Sequence, residues 1–451
     1  MDSQDTFTAL STPHGESALG VIRCSGPICK DLVKNIFGNK SPTPRLCNIA
    51  KYKDKSGQNL DQVVYTYFEL DRSYTGDPML EISCHGNPFI LQKVLEDLVN
   101  RGCRYAQPGE FTQTAFLNGK MDLSQAEAVI DLIKARTRLA HKAASDQLQG
   151  SLSRRINELV ENVLQVLAEI EAYIDFPEED LPTEGNHSPL NSLKGLSKEV
   201  KSLSDTAETG IFLREGVKAI IIGEPNAGKS SLLNCLLGES RVIVSEKPGT
   251  TRDYVEASFF VDPYRINIID TAGVHETQDE IEIQGIHKTL EQIDLSDLIL
   301  LTIDSSKPPP TFPDDVVAKL KQQKTLVIFN KVDLAPNPSL HGFLEGYPKV
   351  KVSALNGSGI NQLKTAIGGL LGTPIVSEKG DVVAVSARHH SSLQKALLGF
   401  NAACSMLGSK EPAELVACHL REALTGLEEI IGKIDNERML DKLFSSFCIG
   451  K

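Results

Sequence analysis

The sequence contains no apolar run approaching the ~20 residues that a membrane span requires, so no transmembrane segment is expected. It also lacks a basic stretch followed by an apolar one at its start. Met1-Asp2-Ser3-Gln4-Asp5 is short and acidic, unlike a secretory or transit signal, and the chain reads as cytoplasmic. Its nine cysteines, at 24, 29, 47, 84, 103, 235, 404, 418 and 448, show no CxxC spacing. Neither a zinc site nor a disulfide scaffold is indicated, and reduced thiols in a cytosolic protein are the plain reading. Positive charge is in deficit: the formal net charge is −12, which argues against a general nucleic-acid coat protein, because neutralising phosphates needs a basic surface.

What is present fits an ordinary globular protein of about three domains, with 41% apolar and 24% charged residues over 451 positions. From Phe7 to about Asn118, β-branched runs alternate with turns. Leu19–Arg23, Val63–Phe68 and Met79–Ser83 read as strands and Phe89–Leu98 as an amphipathic helix, which predicts an α+β domain. From Leu123 long helices take over, with Leu152, Ile156, Leu159, Val163, Leu167, Ile170 and Ile174 spaced three or four apart. Asp175-Phe176-Pro177 should end that helix, since proline cannot continue it. A further helical pattern is predicted from Leu190 to about Glu208. Strands then alternate with helices from Val217 to about Leu371, the mark of a parallel sheet with crossover helices. Ser386 to Phe447 is helical again. The expected fold is therefore multidomain α/β: an N-terminal α+β domain at 1–119, a discontinuous helical domain at 120–213 and 374–451, and an inserted parallel-sheet domain at 214–373, which the motifs that follow make a Ras-like P-loop G domain.

Gly223-Glu224-Pro225-Asn226-Ala227-Gly228-Lys229-Ser230 matches GxxxxGKS, follows the apolar strand Ala219–Ile222 and precedes a helix pattern beginning at Ser231. Backbone amides and a helix N-terminus there face phosphates; Lys229 adds charge on the β and γ oxygens, and Ser230 offers Mg²⁺ a hydroxyl. Asp270-Thr271-Ala272-Gly273 follows the strand Ile266–Ile269; Asp270 suits the Mg²⁺ shell, usually through water, and the Gly273 amide suits the γ-phosphate. Between them, Gly249-Thr250-Thr251-Arg252-Asp253 offers Thr251 as a switch hydroxyl on the metal. Asn330-Lys331-Val332-Asp333 ends the strand Thr325–Phe329, and the Asp333 carboxylate can accept from guanine N1–H and N2–H₂, a donor pair that adenine lacks. Ser353-Ala354-Leu355 completes the base pocket. Four motifs in this order predict a GTPase.

One expected group is missing. Ras-like enzymes place a water-orienting glutamine just after DxxG, but Val274 stands here, and an apolar side chain cannot orient water. No arginine finger stands out apart from Arg252, itself in a switch loop. Catalysis must recruit another group.

At this point the chain resembles, over essentially its whole length, the bacterial tRNA modification GTPases of the MnmE (TrmE) family. The resemblance rests on Gly249–Asp253, Ser73-Tyr74-Thr75-Gly76, Cys84-His85-Gly86, Pro108–Thr112, Phe116–Lys120, Gln125–Ala128, Asp175–Glu179 and the terminal Cys448-Ile449-Gly450-Lys451. The sequence departs from the family pattern at Pro13–Ala18, His275 and His287. The resemblance implies an N-terminal tetrahydrofolate-binding domain that also dimerises, and a K⁺-dependent GTPase activated when two G domains meet across their nucleotides. It makes Asn226 the K⁺-ligating side chain and draws backbone oxygens from the loop Ser245-Glu246-Lys247-Pro248-Gly249-Thr250, chiefly Ser245, Lys247 and Thr250. It makes Glu282 the water-orienting catalytic group; without the resemblance that residue reads as a solvated helix-face charge. Folate-binding roles fall on Arg23, Glu81, Lys120 and Lys451, basic groups suiting a glutamate tail and a carboxylate suiting a pterin. Cys448 is left without an assigned chemistry.

The function so implied is a GTP hydrolase which, with an FAD-dependent partner (MnmG, also called GidA), adds an aminomethyl or carboxymethylaminomethyl group to C5 of the wobble uridine of certain tRNAs. The expected cofactors are Mg²⁺, K⁺ and a tetrahydrofolate derivative; the expected partners are a second copy of the chain, the FAD enzyme and tRNA. The alternatives are a ribosome-assembly switch of the Era or Der type and a folate-binding regulator with vestigial GTPase activity. The first carries a KH domain or a second G domain, and neither a GxxG-bearing KH pattern nor a second GKS appears.

Overall fold

The computed structural model describes residues 5–175, 188–238, 255–269, 290–372, 385–409, 411–432, 440, 443–445, 447 and 449–450. Two compact units emerge, one from 1–130 with 428–451 and one from 131–427.

The first unit is built on a six-stranded sheet. Its strands are β1 (Thr6–Leu10), β2 (Ser17–Ser25), β3 (Cys47–Lys53), β4 (Asn59–Phe68), β5 (Met79–Gly86) and β6 (Cys103–Tyr105), in the order β3-β4-β5-β2-β1-β6. Every pairing is antiparallel except β1 with β6. Alternation along β2, β4 and β5 sends Ile22, Cys24, Val63, Tyr65, Leu80 and Ile82 to one face, where α1 (Cys29–Phe37) and α2 (Pro88–Asn100) cover them. The start of α2 is fixed by chemistry legible in the sequence: Asn87 accepts from the amides of Phe89 and Ile90, and Pro88 stands at the first helical position. On the opposite side Phe7, Ala9 and Met79 meet Ala106 and Phe111, the latter from α3 (Glu110–Leu117). Residues from the far end of the chain complete this unit. Leu440, Phe444 and Phe447 are buried with Leu123, Ala126 and Ile130 of α4 (Leu123–Lys134). Ser11 Oγ donates to the Gly450 carbonyl at 3.1 Å. Gly450 sits at φ +92°, and a side chain there would run into Leu10 O.

The second unit joins helices to a second six-stranded sheet. The helices are α5 (Arg138–Leu148), α6 (Ser151–Asp175), α7 (Pro189–Ser204), α8 (Ala207–Glu215), and those at Ala387–Gly408 and Ala413–Ile431. The seam predicted on α6 is buried from Leu152 to Ile170; the stop predicted at Phe176-Pro177 lies outside the described residues. The single helix predicted from Leu190 to about Glu208 is two, broken at Asp205–Thr206, where the Thr206 hydroxyl turns back to Leu203 O at 2.7 Å. The apolar spacing Leu196, Val200, Leu203, Ala207 runs on across the break, so periodicity alone does not reveal it.

The strands β7 (Val217–Ile222), β8 (Val255–Val261), β9 (Tyr264–Ile269), β10 (Leu298–Asp304), β11 (Thr325–Asn330) and β12 (Lys349–Lys351) lie in the order β12-β11-β10-β7-β9-β8. All pairings are parallel except β8 with β9, and β10 and β11 are buried from end to end, as a sheet covered on both faces requires. β7 leads into α9 (Lys229–Leu237) through the glycine-rich loop, at the carboxyl end of the central strands.

Candidate functional site

The carboxyl ends of β7, β10 and β11 converge on the Gly223–Ser230 loop, where a ligand is expected in an open parallel sheet. Gly228 caps α9 with φ +90°, and a Cβ there would fall on Asn330 Nδ2. The close approach is used: Asn330, 1% exposed, donates from Nδ2 to Ala227 O at 2.9 Å and accepts at Oδ1 from the Ala354 amide at 3.0 Å. One side chain therefore ties the phosphate-facing loop to the Ser353-Ala354 loop.

Lys229 is 9% exposed and donates to the carbonyls of Gly223 at 3.1 Å and Glu224 at 2.9 Å, which holds its ammonium inside the curl of the loop. Ser230 and Ser231 follow in the first turn of α9, whose positive dipole end favours an anion. Asn226 takes φ +62°, which asparagine tolerates better than most residues, and its carbonyl accepts from Lys331 Nζ at 2.6 Å. Lys331 also pairs with Asp304 Oδ2 at 2.8 Å. Asp333 is exposed at the rim and accepts from the buried Ser353 hydroxyl, which fixes one carboxylate oxygen. Thus Asn226, Ala227, Gly228, Lys229, Asn330, Lys331, Asp333, Ser353 and Ala354 form one connected site.

Asp304 is the residue that motif reading missed. It ends β10 opposite Asn330 in register, is 6% exposed, and accepts from the Ser306 amide at 3.0 Å and hydroxyl at 2.6 Å. Burial pushes its carboxyl up, but the hydrogen bonds from Lys331 and Ser306 outweigh it and hold the group below its ordinary range. The available signal was an acidic residue closing an otherwise apolar strand. Ser245, Glu246, Lys247, Pro248, Gly249, Thr250, Thr251, Asp270, Thr271, Ala272, Gly273 and Glu282 lie outside the described residues, as do Cys448 and Lys451.

In the first unit, Arg23 and Glu81 face each other across β2 and β5, and Arg23 Nε donates to Glu81 Oε1 at 2.8 Å. The pair is about a quarter exposed, 24% and 29%, and Arg23 lies over the Tyr74 ring at 5.9 Å. Tyr74 is itself anchored on Thr112 Oγ1 at 2.9 Å. Lys120 does not join that pair; its ammonium donates to Asp71 O at 2.6 Å. The two places are linked through the 71–77 loop, which Asn118 Nδ2 holds at Thr75 O at 2.8 Å. A partly exposed pair of opposite charges beside an aromatic face, with a second cation on the same loop, suits a flat ligand bearing both hydrogen-bonding edges and a carboxylate.

Comparison with known proteins places the chain in a family. The family described as GTP-binding protein TrmE N-terminus matches residues 6–120, and the MnmE helical domain matches residues 123–448. The chain is 46% identical to the tRNA modification GTPase MnmE of Opitutus terrae, over 99% of each chain. It is 42% identical to that of Aquifex aeolicus, over 99% of this chain and 100% of the relative. A solved G domain of the T. maritima FeoB iron transporter is 26% identical over 35% of this chain and 99% of its own, at a TM-score of 0.25, too low to add weight.

Proposed function

Because the chain belongs to the MnmE (TrmE) family of tRNA modification GTPases, with its N-terminal, helical and G domains, we propose that its GTP hydrolysis drives modification of the wobble uridine of certain tRNAs. The observation that carries the GTPase half is the Asn330 clamp, which brings phosphate loop and base loop into one site.

In this reading GTP lies with its phosphates on the Gly223–Ser230 loop and its guanine against Asp333, Ser353 and Ala354. Lys229 exchanges its two carbonyl contacts for β and γ oxygens. Ser230 and Thr251 would hold Mg²⁺, with Asp270 acting through water. The side chain of Asn226 and the backbone of Ser245, Lys247 and Thr250 would hold K⁺, which supplies a fixed positive charge where negative charge develops. Asn226, exposed and already in a left-handed turn at the loop's outer edge, suits that position. Glu282 orients the attacking water in place of the missing glutamine. The chain works as a homodimer whose G domains close and open with each turnover, within the domain limits 1–119, 120–213, 214–373 and 374–451.

Arg23, Glu81, Lys120 and Lys451 hold a tetrahydrofolate derivative that provides the carbon for an aminomethyl or carboxymethylaminomethyl group, added with an FAD-dependent partner of the MnmG type. The chain's acidic balance suits a division of labour in the cytoplasm in which that partner carries much of the tRNA affinity. Nucleoside analysis of tRNA from cells lacking the protein should show unmodified wobble uridines; unchanged uridines would refute the assignment. In the purified protein, K⁺ should stimulate hydrolysis over Na⁺, and Glu282→Ala should lower kcat at least ~100-fold, the usual scale for a positioned acid–base group. Full activity in Glu282→Ala would remove it from the mechanism.

A further inference from the structure

On the far side of the guanine-binding segments lies a cleft of about 760 Å³, within the ~300–1,000 Å³ range of small-molecule sites. Phe329, Val332, Leu334 and Leu340 form much of its apolar lining, and Lys349 and Lys351 stand on one wall. The register explains the lysines. β12 pairs Lys349 with Val327 and Lys351 with Phe329, so both lysines share the face of the sheet that carries the apolar core under β10 and β11. Val350 between them turns to the opposite core. A face that is apolar elsewhere thus ends in two exposed ammonium groups, and neither forms an ion pair or side-chain hydrogen bond with any described residue. No acidic side chain among the described residues lines the cleft, although the whole chain carries −12.

A second observation points the same way. Ser305, in the cleft wall, is 5% exposed, and its hydroxyl has no hydrogen-bond partner among the described residues. Its backbone is held on both sides: its amide donates to Asn330 O at 2.9 Å and its carbonyl accepts from the Asn337 amide at 2.8 Å. A buried hydroxyl without a partner is an unmet cost that a ligand group can relieve by drawing it round about its Cα–Cβ bond.

We propose that this cleft binds a small organic anion with a flat or aliphatic apolar body and one carboxylate or phosphate. Its body lies on Phe329, Val332, Leu334 and Leu340, and its charge meets Lys349 and Lys351. Occupancy is coupled to guanine-nucleotide affinity, because the same short segments serve both places. Ser305 follows Asp304, the carboxylate that fixes Lys331, and Val332 stands between Lys331 and Asp333 with its amide on Val352 O at 3.2 Å. The inference goes beyond the proposed function and stands or falls independently of tRNA chemistry.

The test uses the full-length chain and 1-anilinonaphthalene-8-sulfonate, an anion with a flat apolar body, with neutral N-phenyl-1-naphthylamine as its uncharged counterpart. The double variant Lys349→Glu/Lys351→Glu should bind the sulfonate at least ~5-fold more weakly, the scale of two exposed charge interactions reversed, and the neutral amine as before. Its GTP hydrolysis without probe should be unchanged. Calorimetric titration of GDP at saturating sulfonate should shift its Kd by roughly 5-fold or more in wild type and not in the variant. Equal sulfonate binding by wild type and variant would overturn the site. Binding with an unmoved GDP affinity would overturn the coupling.

Discussion

Asn330→Ala should damage nucleotide binding through the scaffold rather than through the base. The wild-type side chain is 1% exposed, and both its polar atoms are spent on backbone: Nδ2 on Ala227 O, and Oδ1 on the Ala354 amide. Removing it deletes two hydrogen bonds worth about 0.5–1.5 kcal/mol each, and leaving the two backbone groups unmet can raise the cost to about 1–3 kcal/mol each. With both groups left unmet the closed arrangement of the two loops loses roughly 2–6 kcal/mol, and even the lower figure corresponds to about a 30-fold weaker Kd. The assay is calorimetric titration of GDP and IDP, with far-UV circular dichroism to confirm the fold. IDP lacks the guanine amino group that Asp333 is placed to accept from. In Asn330→Ala both ligands should weaken by the same factor, whereas Asp333→Ala should chiefly lower the preference for GDP over IDP. A GDP loss below about 3-fold, or a loss confined to GDP, would refute the clamp.

Asp333→Asn should turn base preference towards xanthine, because an amide can donate to the carbonyl that xanthine carries where guanine has its amino group; unchanged GDP-over-XDP discrimination would count against the placement of Asp333. For Asp304, a carboxyl held below its ordinary range contributes stability above the unfolded carboxylate pKa of about 3.9, and that is lost only as pH falls through the lower folded value. The ratio of GDP affinities between wild type and Asp304→Asn should then stay constant from pH 8 to 5, and a ratio shrinking towards unity by pH 5 would contradict the pairing with Lys331. Burial, helped by the charge of Asp61, pushes the Cys84 thiol up to about 12, while Cys47 is exposed. Peptide mapping after iodoacetamide at pH 8 should find Cys47 alkylated in the folded protein and Cys84 only after denaturation; comparable rates would rule out the buried thiol.

The nucleotide site was largely legible because its parts are local strings, each at a strand end and each with its own chemistry. What the strings do not carry is who holds whom. Asn330 reads as a base-pocket residue, yet its contacts are with loops 103 and 24 positions away. Asp304 belongs to no string and acquires its role from the pairing of β10 with β11. Arg23 and Glu81 were reached through resemblance, since a register between strands 58 residues apart leaves no periodic trace. The break between α7 and α8 was hidden for the opposite reason: the apolar period is intact while the backbone turns.

The unit that holds Arg23 and Glu81 also contains Phe444, Phe447 and Gly450. On the ribosome its sheet strands and covering helices are made first, but the cluster around Leu123 and Ile130 must wait until the stretch 131–427 has been synthesised, on the order of tens of seconds at ~5–20 residues per second. During that interval the apolar side of α4 has no partner from the chain's end, and the second unit can fold to completion. The first unit is therefore finished only once synthesis has passed Gly450: a product cut short before it could acquire a nucleotide site, but not the Gly450 contact with Ser11.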